Sequence, residues 1–94
     1  LGVLPLMSKD AMIEKSISIH SILKKDFDSV YDKSGSIGRR YRRLEEIGAP
    51  FAITIDQHTL LDNTVTVRYR DSMHQERVNT GDLKKFLEEK LAVD

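Results

Sequence analysis

The stretch SGSIGRRYRRLEEIGAPFAITID, residues 34–56, decides the fold. Ser36 can cap a helix by accepting a backbone N–H of its first turn. Ile37, Tyr41, Leu44 and Ile47 then recur at helical spacing and give that helix an apolar stripe. Arg39, Arg40, Arg42 and Arg43 flank the stripe on the side read as wet. Arg42 is one turn from Glu46, a spacing that allows pairing, while Arg39 and Arg43 face each other as like charges. Gly48 suits the left-handed position after a helix, and Pro50 forbids continuation. Phe51 to Ile55 follows as a strand with both faces nearly apolar, the pattern of a central strand covered on both sides.

Upstream of this block, Val3 to Leu6 reads as a short first strand, limited by Pro5. A helix is expected from about Lys9 to Lys25, with Ser8 as cap and Asp10 and Glu14 near the positive end of its dipole. Met12, Ile13, Ile19 and Leu23 lie on its apolar side; Glu14, Ser18, Ser21 and Lys25 form a polar stripe. Phe27 to Tyr31 reads as the second strand. Downstream, residues 57–63 read as a loop. TVTVRYRD, residues 64–71, alternates: Val65, Val67 and Tyr69 share one face, Thr66, Arg68 and Arg70 the other. Asp71 and Ser72 supply a turn, HQERV pairs back as a fifth strand, and Asn79 or Thr80 caps a last helix carrying Leu83, Phe86, Leu87 and Leu91. The order is β-α-β-α-β-β-β-α. Two βα units in succession imply parallel strands with right-handed crossovers, and the hairpin adds an antiparallel strand. The expected architecture is α/β, a mixed five-stranded sheet between helices in three layers. Val65, Val67, Ile53, Ile55, Leu44 and Tyr41 are expected to be buried.

Ninety-four residues suffice for one domain with one modest core. Lys plus Arg is 15 and Asp plus Glu is 15, so the net charge is zero. Any attraction to nucleic acid must therefore come from a local patch. There is no cysteine, which excludes disulfides and thiolate zinc sites and is compatible with a reducing compartment. No apolar run approaches membrane-spanning length. The opening LGVLPLMSKD is not a signal peptide. It lacks an initiator methionine and starts inside a strand-like run, which points to a piece of a longer chain.

Four groups of residues merit a chemical reading. The glycines of SGSIG precede a helix, where backbone N–H groups can hold a phosphate. Neither nucleotide-binding fingerprint accompanies them, and a tight helix entry explains them equally. The arginine cluster 39–43 suits a phosphate backbone, or a solvated face paired with Glu45 and Glu46. Arg68 and Arg70, with Thr66 beside them, can offer guanidinium forks to a base edge or phosphate. Asp56, Asp71 and Glu76 add acceptors, of the kind that read the exocyclic amine of cytosine; a surface salt-bridge ladder is the plainer account. His20, His58 and His74 have no metal-ligand spacing. No GxSxG elbow and no acidic pair in a cleft is present, so no catalytic set emerges.

SIGRRY, EIGAPF with TID, and RDSMHQ, together with VLPL near the start, resemble the C-terminal anticodon-binding domain of class II glycyl-tRNA synthetase over nearly the whole chain. The resemblance implies strand order 2-1-3-4-5 with strand 4 reversed. It implies that residues 1–94 are one anticodon-binding domain of a longer synthetase. The partners implied are the anticodon loop of glycine tRNA and a catalytic domain on the same chain, in a cytoplasmic parent enzyme that is a homodimer. ATP and magnesium would serve that catalytic domain, with no cofactor in this one. Anticodon contacts map to Ser34, to Asp56 through Thr59 (including His58), and to Arg68, with Thr66, Arg70 and Asp71 nearby; Arg39, Arg40, Arg42 and Arg43 would hold stem phosphates. Polar Asn79 departs from the apolar continuation expected at the end of the fifth strand. A similar domain in the accessory subunit of mitochondrial DNA polymerase serves protein contact and DNA clamping, which is the alternative role. A small flavodoxin-like or redox enzyme is a third idea, weakened by the missing cysteine and phosphate loop.

Overall fold

A computed structural model describes residues 1–91. Its elements run β1 (Gly2–Pro5), α1 (Asp10–Leu23), β2 (Val30–Tyr31), α2 (Ile37–Glu46), β3 (Phe51–Ile55), α3 (Gln57–Asp62), β4 (Thr64–Tyr69), β5 (Gln75–Asn79) and α4 (Leu83–Leu91), the last entered through a 3-10 turn at Thr80–Asp82. The sheet order is β2-β1-β3-β4-β5. β1 pairs parallel with both β2 and β3, and β4 is antiparallel to β3 and β5. The mixed five-stranded sheet expected from sequence is therefore present.

The two sides of the sheet are covered unequally. On one side Val3, Ile53, Ile55, Val65 and Val67 meet Met12, Ile19 and Leu23 of α1 and Leu83 and Leu87 of α4. All five strand residues there are fully buried. On the other side a smaller cluster of Leu4, Leu44, Ala49 and Ala52 seats α2, with Ile37 and Tyr41 packed against it. That helix comes close to β1: a Cβ on Gly2 would overlap the Leu44 methyls. α2 covers only the β1 and β3 half of its side. Thr66 and Arg68 on β4, and Gln75 and Arg77 on β5, remain partly or fully exposed beyond it.

Local rules explain most boundaries. Ser36 accepts the Arg39 N–H as the cap of α2, and Gly48, at φ +77, ends the helix in the left-handed region that glycine tolerates. Four expectations need correction. Residues 57–63 are not a loop: Asp56 and Thr59 form a reciprocal capping box that starts α3, and Asn63 closes it at φ +60. β2 is two residues long, not five, because it pairs only with Gly2 and Val3 at the sheet edge. α1 is capped by Lys9 without a side-chain bond, so Ser8 is not its cap; Ser8 serves α2 instead. Of the residues expected to be buried, Tyr41 is only half-buried; Ile47, the last residue of the apolar stripe, is exposed.

Candidate nucleic-acid interface

The four arginines of α2 divide into two pairs. Arg40 is 3% exposed. It stands three residues after Ile37 and four before Leu44, on the stripe that faces the sheet. Its guanidinium donates to the Pro5 carbonyl (2.5 Å), the Gly35 carbonyl (2.7 Å) and Ser8 Oγ (3.3 Å). The expectation that Arg40 faces water and meets phosphate is corrected: it fastens α2 to the ends of β1 and of the glycine loop. Arg43 reaches Asp32 with two bonds, Nε to Oδ2 at 2.6 Å and Nη2 to Oδ1 at 2.9 Å, and also donates to the Ser34 carbonyl. Asp32 in turn accepts the Ser34 N–H. The Arg43 hydrogen bond holds the Asp32 carboxyl below its usual range and raises Arg43. Exposed Ser34 thus sits in a loop whose shape is fixed by Arg43 and Arg40.

Arg39 and Arg42 are the exposed pair. Among the described residues their guanidinium groups make no hydrogen bond or ion pair, and the expected Arg42–Glu46 pairing is absent. They are the cations of α2 with unspent charge.

On the uncovered half-sheet, Arg68 lies across from Ala52 on β3. Its guanidinium carbon is 4.4 Å from the centre of the Tyr41 ring, and no described residue accepts a hydrogen bond from it. The Tyr41 hydroxyl is 2.7 Å from Thr54 Oγ1. Arg77, which the sequence reading missed, lies opposite Thr66 in the β4–β5 register. It donates to Thr66 Oγ1 at 3.1 Å, to Thr64 Oγ1 at 2.8 Å, and to the Asp56 carboxylate. Counting back one residue from Val78, which faces the core, would have placed Arg77 on the same side as Arg68.

Asp56 is used heavily by the fold. One oxygen accepts the Thr59 N–H and hydroxyl, the other accepts Arg77. Burial pushes its pKa up, but the Arg77 and Thr59 bonds outweigh that and leave it below the usual value. Thr59 is 1% exposed, so its side chain cannot meet a base; it is a capping residue. His58 is exposed on α3. Arg70 lies just past β4, where it donates to the Gly48 carbonyl at 2.8 Å and pairs with exposed Asp71 at 2.9 Å. The structure thus gathers Thr66, Arg68, Arg77 and Asp56 on one surface, with Arg70 and Asp71 at one end of it. Ser34, Arg39 and Arg42 belong to α2 and the loop before it. Among the described residues no group of His, Asp and Glu is placed to hold a metal ion, and no helix is long and apolar enough to cross a membrane.

These features define an α/β domain with a polar, half-open sheet beside a helix that carries unspent positive charge. The chain matches the family model described as "Anticodon binding domain" over residues 1–90, and it belongs to that family. It is 52% identical over 90 residues to a glycine–tRNA ligase of Clostridium tetani, covering 96% of this chain and 19% of the ligase. It is 49% identical over 83 residues to that of Treponema denticola, covering 88% of this chain and 18% of the ligase. The chain therefore spans about a fifth of the length of these relatives. Among solved structures it resembles a prolyl-tRNA synthetase from Cryptosporidium parvum complexed with L-proline and AMP (TM-score 0.85, 18% identity, 96% of this chain and 20% of that one). It also resembles the RNA binding domain of threonyl-tRNA synthetase from Cryptosporidium parvum (TM-score 0.83, 23% identity, 94% of this chain and 22% of that one). At those identities the likeness is one of fold, and it agrees with the observed strand order.

Proposed function

We propose that this domain binds the anticodon stem-loop of glycine tRNA and is the tRNA-recognition part of a glycine–tRNA ligase. The observation that carries the proposal is the uncovered half-sheet of Thr66, Arg68 and Arg77, with exposed Arg39 and Arg42 on the helix that covers the other half. Anticodon bases are unstacked, so protein groups can reach their Watson–Crick edges. Glycine anticodons share cytosine at the second and third letters. The half-sheet and Asp56 receive those bases, helped by His58 on α3, by Ser34 in the loop before α2, and by Arg70 and Asp71 just past β4. Arg39 and Arg42 hold phosphates of the stem. Ligation of glycine, with its ATP and magnesium, belongs to a catalytic domain on the same chain, in a cytoplasmic, homodimeric enzyme. The domain alone forms no glycyl-adenylate.

The test is a titration of fluorescent stem-loops carrying CC or GG at the last two anticodon letters, at two salt concentrations. The CC loop binds more tightly, and Arg68→Ala costs about 1–3 kcal/mol on CC while relaxing the preference. Equal affinity for both loops, unchanged by Arg68→Ala, would overturn the reading in favour of a protein-contact or DNA-clamping module.

A further inference from the structure

Arg68 is the arginine of the half-sheet whose donors are free. Arg77 is spent on Asp56 and two threonines, and Arg70 on Gly48 and Asp71. An unanchored arginine on an open sheet samples many rotamers, and ordering it on binding costs entropy. Arg68 has an anchor that leaves its donors free. Ala52, directly across from it on β3, has too short a side chain to fill the space above the strand. Tyr41 packs against that Ala52 cluster and brings its ring to 4.4 Å from the Arg68 guanidinium carbon. The ring is itself held, by its hydroxyl at 2.7 Å from Thr54 Oγ1, and Thr54 is buried. The contact with the ring uses none of the Arg68 N–H groups in a hydrogen bond to a described residue, so they stay available to a ligand.

We propose that Tyr41 is the positioning residue for Arg68. Fixed by Thr54, its ring presents the Arg68 fork to the adjacent O2 and N3 acceptors of an unstacked cytosine. Guanine held by its Watson–Crick edge turns N1–H and N2–H donors toward the same fork, so a site that takes the base by that edge favours cytosine. This inference rests on the anticodon-reading function proposed above and names the residues that give it base preference. It also accounts for a tyrosine on the apolar stripe of α2 where Leu44, one turn on, is a plain core residue.

The same CC and GG loops test it, with Arg68→Ala, Tyr41→Leu, Tyr41→Phe and the Tyr41→Leu/Arg68→Ala double variant. Tyr41→Leu should shrink the CC preference by about two- to 30-fold, the worth of a cation–ring contact. Tyr41→Phe, which keeps the ring but loses the Thr54 bond, should retain part of the preference, more than Tyr41→Leu. The double variant should lose no more preference than Arg68→Ala alone. If Tyr41 only fills space, Tyr41→Leu weakens both loops equally and leaves the preference intact, which overturns the inference while the anticodon reading stands. If the unsubstituted domain shows no preference, the function itself fails. A measurement on the unsubstituted protein covers the case in which Tyr41→Leu does not fold. By NMR relaxation the Arg68 Nε–H should be more ordered than that of Arg42; equal mobility would overturn the proposal.

Discussion

Arg40 and Arg42 are two residues apart, yet their surroundings assign them opposite work. Arg40 is itself buried and donates to the Pro5 and Gly35 carbonyls, the first of them in a buried bond, so truncation removes the donor from a buried acceptor. Arg40→Ala should lower stability by about 3 kcal/mol, whereas Arg42→Ala should stay within about 0.5 kcal/mol; urea unfolding of both variants decides. The distinction was legible in part. Position 40 falls on the stripe of Ile37 and Leu44, and a charged residue there had to be either misplaced or partnered. The identity of the partners was not legible, because Pro5 is 35 residues away in sequence. Asp32 carries a pH consequence. Its folded-state pKa is lowered from 3.8, first by the Arg43 hydrogen bond. The stability it contributes is fully present above about pH 4 and is lost as pH falls through the lower folded value. Melting temperature should therefore fall below pH 4, and Asp32→Asn, which cannot titrate, should show a shallower fall over that range. Equal slopes for both proteins would refute the assignment.

At the scale of elements, α2 and β3 were readable because a cap, a stripe, a glycine stop and an apolar run all agreed. α3 was not. Six residues are too few to show a 3.6-residue stripe, and Leu60 and Leu61 are exposed, so hydrophobic spacing gave no signal. What made the helix was the chemistry of its ends: Asp56 and Thr59 satisfy each other's backbone N–H, and Asn63 tolerates the left-handed exit. The family resemblance maps base contacts to Asp56 through Thr59, but the Thr59 side chain is committed to this cap. The same reasoning explains the shortened β2, where a polar edge segment had β-like composition but only one neighbouring strand. Thr59→Ala should remove the reciprocal bond and cost about 1 kcal/mol by thermal or chemical unfolding, with no change in the CC-to-GG preference. A changed preference would return Thr59 to the interface.

For the whole molecule, a net charge of zero leaves binding to depend on where charges are spent. Four arginines on one short helix suggested a four-charge phosphate contact. In the folded protein Arg43 is neutralised by Asp32, and Arg40 is buried in the body of the domain. The remaining field comes from Arg39 and Arg42, one turn apart. At about 0.1 M salt the Debye length is about 10 Å, so only cations near the stem phosphates count. Each such contact releases condensed counterions and adds about one unit to the salt slope of log affinity. Arg39→Ala and Arg42→Ala should therefore each lower the slope by about one, and together by about two. Because phosphates carry no sequence information, the loss should be the same for CC and GG loops. Arg68→Ala should behave in the opposite way, with its main effect on the preference. Titrations of both loops at three or more salt concentrations separate the two behaviours. A slope unchanged in the Arg39→Ala/Arg42→Ala double variant would remove α2 from the interface and leave the half-sheet as the whole contact.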